Sequence, residues 1–271
     1  MIAFTKILSE RRISTAFFLS ALTIGAYAGP VEIVAHRGAS FDAPENTLAA
    51  VQLGWKQGAD AVEVDVMLSR DGRIVVIHDQ DTKRVSGVAG KVREKSFAEL
   101  RRLDVGAWKG ERWRGERIPT LGQVLATIPE GKRMFVELKT GPEIVTALKQ
   151  AVTASRKKAA QIAIISFSYE ACAESKKALP DHKVYYLSGF KNDSPKIKTL
   201  VDQAQAAGLD GLDVDGRKLT ESGAGKAMKA AGLEFHVYTI DEVPLAKRLI
   251  TEGVDGLTTN RPQWLREQLQ K

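Results

Sequence analysis

The stretch AVEVDVMLSRDGRIVVIHD, residues 61–79, decides how the rest of the chain is read. Two apolar extended runs flank Asp71-Gly72, a dipeptide that closes tight turns because both residues tolerate the left-handed backbone such turns need. Ile74, Val75, Val76 and Ile77 follow at once, which leaves no room for the dozen or so residues of a parallel crossover. The two runs are therefore expected to pair antiparallel. Folding about residue 71 sets His78 opposite Val64, within one register step, and returns the imidazole to Glu63 and Asp65. Side chains alternate along a strand, so Glu63 and Asp65 share a face.

Outward from this hairpin, short apolar runs recur at residues 31–36, 61–67, 134–139, 162–167, 183–187, 211–215, 234–240 and 256–259. Helical patterns lie between them: 47–57 stops at Gly58, 143–159 follows Pro142, and 169–179 ends before Pro180. Eight strands rich in Val and Ile that alternate with helices predict an α/β chain closed into a (β/α)₈ TIM barrel. A doubly wound open sheet obeys the same pattern. Residues 80–119 break the alternation, being irregular, basic and rich in Gly and Trp, with one helix expected over 97–103. Too short for an independent core, this segment reads as an insertion over the barrel mouth.

The N-terminus has a different character. Lys6, Arg11 and Arg12 lead into an apolar run over 13–25, then Ala26-Tyr27-Ala28, the layout of a secretory signal peptide cleaved after Ala28. The run is well short of the roughly 20 residues of a permanent membrane span, so no stable span is expected after cleavage. An uncleaved anchor or an ordinary amphipathic helix are the alternatives. The chain is thus expected to be exported, periplasmic or secreted, with residues 29–271 forming a single barrel domain. Cys172 is the only cysteine, so no disulfide forms within the chain and stability must come from the core.

The net charge is +7, and residues 83–117 alone hold eleven basic and five acidic residues. Such a field attracts anions, although a solvated charged surface has the same composition. No helix-turn-helix, zinc or aromatic-platform signature accompanies it, which argues against nucleic acid as the partner. A small anionic substrate is expected instead.

In a barrel of this kind, functional groups gather at the C-terminal ends of several strands. Polar residues stand there: His36-Arg37-Gly38 after the first strand, Glu63 and Asp65 on the second, His78-Asp79 on the return strand, Glu137 and Lys139 on the next. Three carboxylates pointing into the barrel need a partner, because desolvating a charge costs several kcal/mol. One divalent cation is the simplest, and all-oxygen donors favour Mg²⁺, Ca²⁺ or Mn²⁺ over Zn²⁺. A salt-bridge cluster with Lys139 and Arg37 would also satisfy them. Only four histidines occur. Two of them stand at strand ends beside acids, placed to take a proton from a nucleophile and give one to a leaving group. His182 and His236 read as structural.

These motifs carry a resemblance. Ala35-His36-Arg37-Gly38, Pro44-Glu45-Asn46-Thr47, Glu63-Val64-Asp65-Val66, Asp71-Gly72 and Ile77-His78-Asp79 resemble the N-terminal signature of the glycerophosphodiester phosphodiesterase family, within the phospholipase C-like phosphodiesterase superfamily. Ile118-Pro119-Thr120-Leu121, Glu137-Leu138-Lys139, Ser166-Phe167 and Gly253-Val254-Asp255-Gly256 extend it over essentially the whole mature chain. The resemblance implies hydrolysis of glycerophosphodiesters to glycerol 3-phosphate and an alcohol. It implies that His36 and His78 are the acid/base pair and that Glu63, Asp65 and Glu137 hold one Ca²⁺ or Mg²⁺. It places Arg37 and Lys139 on the phosphate, Glu45 near the metal or His36, and Phe167 and Tyr238 along the substrate pocket.

The chain departs from the family pattern at two places. Tyr238-Thr239-Ile240-Asp241 stands where Trp-Thr-Val-Asn is usual, and Asn260 stands where Asp is commoner before the last proline-containing turn. The first departure bears on the alcohol side of the substrate. A lysophospholipase D-like phosphodiesterase and a barrel that binds phosphodiesters without turnover are the other readings. A pure binder, however, needs no acid/base pair.

Overall fold

The structure is a computed structural model that describes residues 31–189, 196–219 and 223–271. The expected signal segment, residues 1–28, lies outside the described residues. Runs of Val, Ile and Ala form β1 (Glu32–Ala35), β2 (Ala61–Leu68), β3 (Ile74–Val76), β4 (Arg133–Leu138), β5 (Ile162–Ser166), β6 (Lys183–Ser188), β7 (Gly211–Asp215), β8 (Glu234–Tyr238) and β9 (Gly256–Thr259). β1 pairs with β9 and also with β2, Val34 opposite Ala61, so eight parallel strands close on themselves. Closure rules out the open doubly wound sheet and makes the architecture a (β/α)₈ barrel. Among the described residues, no helix is long and apolar enough to cross a membrane.

The ninth strand is β3. It pairs antiparallel with β2, Val66 opposite Val76 and Leu68 opposite Ile74. This is the register expected from the Asp71-Gly72 turn, and it returns Ile77 to hydrogen-bond with the Asp65 carbonyl at 2.9 Å. Most strand boundaries fall within a residue or two of the sequence pattern. The last residues of the runs at 36, 139 and 167 stand just beyond β1, β4 and β5, where the polar rim begins. β8 stops at Tyr238 rather than 240, since Ile240 turns aside to donate its N–H to the Thr258 carbonyl at 2.8 Å.

Period-two alternation divides each strand between two environments. Val62, Val64 and Val66 face outward into the main core shared with the helices, while Val34, Ala61, Phe135, Ala163, Ile165, Tyr185 and Leu187 fill the barrel interior. His236 joins this interior floor, its ring 4.9 Å from Tyr185 and 5.2 Å from Phe135, in agreement with a structural role. Above the floor the inward positions turn acidic, with Asp65 registered against Glu137 on the adjacent strand.

Residues 80–119 form short helical turns over the outer face of the hairpin. The helix expected over 97–103 spans only Phe97–Leu100, opened by a capping box of Ser96 and Glu99. It ends early because Asp104 bends the chain, its carboxylate accepting from the N–H groups of Gly106 and Ala107. Val85, Val92, Leu100, Val105 and Ile118 of the insertion pack on Met67, Val75 and Ile77 of the hairpin. The insertion therefore has a small core of its own only because β2 and β3 supply part of it.

Beyond β1 the chain makes a tight left-handed turn through Arg37 (φ 54°) and Gly38 (φ 80°). A Cβ on Gly38 would lie 2.4 Å from the carbonyl carbon of Ala50. Gly38→Ala is expected to destabilise the fold by roughly 2 kcal/mol or more, a fall of several degrees in melting temperature. An unchanged melt would show that the turn relaxes without cost.

Candidate active site

Acidic and basic side chains converge at the C-terminal rim because the strands that carry them are neighbours: β1 beside β2, β2 beside β4. Glu63, Asp65 and Glu137 are all buried, and each offers an oxygen within 4.8 Å of those of the other two. Glu63 Oε1 and Asp65 Oδ1 have no hydrogen-bond partner. Buried, unpartnered carboxylate oxygens are costly, and an all-oxygen cluster of this size suits a hard divalent cation. The donor set fits one.

Cations close the cluster on two sides. Arg37 donates its backbone N–H to Glu63 Oε2 at 2.8 Å and sets its Nε 3.2 Å from Asp65 Oδ2. Lys139 Nζ lies 2.6 Å from Glu137 Oε1 and 3.4 Å from Asp65 Oδ1. The salt-bridge reading of the cluster is thus partly realised. Even so, Arg37 and Lys139 leave oxygens of Glu63 and Asp65 without a hydrogen bond.

Protonation reflects this imbalance. Burial first, then the Asp65 charge, push Glu137 up to about 7, and burial with Asp65 and Glu137 raises Glu63 as well. For Asp65 burial acts in the same direction, but Arg37 and Lys139 outweigh it and hold the group below the usual carboxylate range.

His36 and His78 stand at the same rim. His36 is half-buried, with Nδ1 2.7 Å from Asn260 Oδ1. Burial and then the Arg37 charge lower its pKa to about 4. His78 Nδ1 lies 2.6 Å from Asp79 Oδ1, and Asp79 is held in turn by Arg84 Nε at 2.6 Å. Phe167 and Tyr238 form an aromatic wall, their rings edge to face with centroids 6.0 Å apart and Lys139 Nζ 5.9 Å above Phe167. The Tyr238 hydroxyl donates to the Ser188 carbonyl at 3.1 Å.

Glu45 lies in the same loop as His36 and close enough for its charge to act on the ring. It is gripped by Arg37 at 2.9 Å and by Arg84 at 2.8 and 2.9 Å, so it also ties the β1 turn to the insertion. Several residues at the site were not singled out from sequence. Asn46 is buried at a positive φ of 60° and clasps Asp65, donating Nδ2 to Oδ2 at 2.8 Å and accepting the Asp65 N–H at 3.1 Å. Its signal was its place beside Glu45 in a matching motif. Arg84 could have been found only as one basic residue among eleven.

Comparisons with known proteins agree with this geometry. Residues 36–264 match the model of the Glycerophosphoryl diester phosphodiesterase family. A glycerophosphodiester phosphodiesterase of Caldanaerobacter subterraneus is 31% identical over 237 residues, covering 86% of this chain and 95% of that one. The structure is similar to a phosphodiesterase of Oleispira antarctica solved with the product sn-glycerol-3-phosphate, with a TM-score of 0.81 at 29% identity over 89% of this chain and 97% of the other. A Thermotoga maritima glycerophosphodiester phosphodiesterase superposes with a TM-score of 0.74 at 27% identity over 89% and 99% of the two chains.

The raised carboxyls have a measurable consequence. With the folded values above the unfolded one, their contribution to stability is complete below about 4.5 and is lost as the pH rises through about 7 for Glu137. In chelator the melting temperature is expected to fall across that window, and millimolar Ca²⁺ or Mg²⁺ to reverse the fall at the upper end. Glu137→Gln should flatten the profile; a wild-type profile already flat in chelator would contradict the electrostatic account.

Proposed function

The chain belongs to the glycerophosphoryl diester phosphodiesterase family, and we propose from that premise that it hydrolyses glycerophosphodiesters to glycerol 3-phosphate and an alcohol, using one bound divalent cation. The observation that carries this reading is the meeting of two imidazoles with a buried acidic triad at one end of the barrel. The product held by the Oleispira antarctica relative supports it.

Glu63, Asp65 and Glu137 hold the cation, Ca²⁺ or Mg²⁺. When bound, it supplies positive charge against the phosphate oxygens. Arg37 and Lys139, already among the carboxylates, extend the same electrostatic stabilisation to the phosphodiester. Glu45 fixes the Arg37 guanidinium, and Arg84 fixes Glu45. In the first step one histidine takes the proton of the glycerol 2-hydroxyl as its oxygen bonds to phosphorus. The other gives a proton to the alcohol oxygen as its bond to phosphorus breaks. In the second step the roles reverse, and water opens the cyclic phosphate to glycerol 3-phosphate. Phe167 and Tyr238 wall the pocket beside Lys139, where they limit the shape of the alcohol.

One observation favours a second reading, a lysophospholipase D-like activity on substrates with an acyl chain. The large apolar residues exposed among those described are Phe41, Val88, Trp108 and Phe167, and all belong to loops at the barrel mouth or to the insertion. Export is proposed on the N-terminal sequence pattern alone; fractionation that found the protein confined to the cytoplasm with residues 1–28 retained would end it.

His36→Ala and His78→Ala are each expected to lower kcat on glycerophosphocholine by at least about 100-fold with the fold intact, and chelator to abolish turnover until Ca²⁺ or Mg²⁺ is returned. Near wild-type rates in either variant would overturn the acid/base assignment. Faster turnover of lysophosphatidylcholine than of glycerophosphocholine would select the second reading.

A further inference from the structure

His36 is oriented by residues the reaction scheme does not use. Its backbone N–H donates to the Thr259 carbonyl at 2.9 Å, and its Nδ1 lies 2.7 Å from Asn260 Oδ1. Behind Asn260 stands Asp241. Asn260 Nδ2 donates to Asp241 Oδ2 at 2.5 Å, the Asn260 backbone N–H donates to Asp241 Oδ1 at 2.9 Å, and the Thr259 hydroxyl donates to the same oxygen at 2.7 Å.

The direction of each hydrogen bond follows from the chemistry of the groups. An ionised carboxylate only accepts, so the part of the Asn260 amide that faces Asp241 must be its NH₂. The amide carbonyl is thereby turned toward His36, and the Ser40 hydroxyl donates to it as well at 2.8 Å. A carbonyl also only accepts, so His36 Nδ1 must carry hydrogen. In the neutral ring the lone pair is left on Nε2, which has no protein partner among the described residues. The charges that face His36 are Arg37 beside it, Glu45 in the same loop and Asp65 on β2.

We infer that Asp241 and Asn260 are positioning residues that lock His36 as its Nδ1–H tautomer, so that it accepts the substrate proton at Nε2. This deepens the phosphodiesterase reading and rests on His36 being one of its two proton-transfer groups. The amide orients the ring without placing a full negative charge against it, while the carboxylate one group further back prevents the amide from flipping. The lock acts through hydrogen-bond direction, and neither residue hydrogen-bonds to the acidic triad.

The test is nitrogen NMR on imidazole-labelled full-length protein, with His36→Gln used to assign the resonance. Wild type is expected to show protonated Nδ1 and unprotonated Nε2 at neutral pH. Asp241→Asn frees the amide to rotate; the signature should become mixed, and kcat should fall on the order of 100-fold with KM little changed. The reciprocal double variant, Asp241→Asn with Asn260→Asp, again sets an acceptor against Nδ1. It should restore the tautomer and most of kcat, and move the acidic limb of the pH profile upward because a carboxylate now faces the ring. Rescue by the double variant separates positioning from misfolding of the single one. An Nε2–H tautomer in wild type, or Asp241→Asn with both tautomer and kcat intact, would overturn the inference. The tautomer is read without turnover, so a protein that shows the lock yet cleaves no phosphodiester would refute the functional reading alone.

Discussion

Three carboxylates inside a barrel that is otherwise packed with Val, Ile and aromatic rings impose the central constraint on this molecule. Desolvated negative charges at this spacing repel one another, and the surrounding residues are arranged in answer to that repulsion. Arg37 and Lys139 enter from two sides, Asn46 clasps Asp65, and the remaining oxygens of Glu63 and Asp65 stay without a hydrogen bond. The left-handed turn at Arg37 and Gly38 lets a backbone N–H and a guanidinium reach two different acids at once. The fit of the site to a hard cation and the mutual repulsion of its acidic groups thus have one physical cause.

Much of this was legible in the sequence because the relevant signals are local. Asp71-Gly72 leaves so little chain that the pairing partner and register of β3 follow from turn geometry alone, and alternation along β2 places Glu63 and Asp65 together. The strand ends were less sharp, since His36 and Lys139 stand one residue beyond β1 and β4 yet still donate backbone N–H groups to Thr259 and Val66 on the neighbouring strands. The Phe97–Leu100 helix was overestimated for a comparable reason: the apolar spacing persists, but Asp104 captures backbone N–H groups and bends the chain.

Long-range polar partners were beyond reach. Arg84 meets Glu45 across 39 residues and Asn260 meets His36 across 224, and no periodicity encodes either contact. The two departures from the family pattern acquire a common meaning in three dimensions. Asp241 and Asn260, noted separately in the sequence, are hydrogen-bonded to each other, so an amide and a carboxylate are both present with their places exchanged. Two departures that look independent in one dimension thus meet at one contact in the fold. Glu45 was marked by its motif position, and its neighbours show what it does there: beside His36, it braces Arg37 and Arg84.

The hairpin has one more implication. His36 rises from the ring of eight strands, whereas His78 follows β3, whose outer face is glued to Val85, Val92, Leu100, Val105 and Ile118. The two imidazoles are thus carried on different strands, but the cap behind His78 is also tied to the β1 loop, through Arg84 to Glu45 and Lys109 to the Ser40 carbonyl. The position of His78 therefore depends on cap and barrel together, so a change in the apolar contacts behind β3 is transmitted to the rim at which both imidazoles stand.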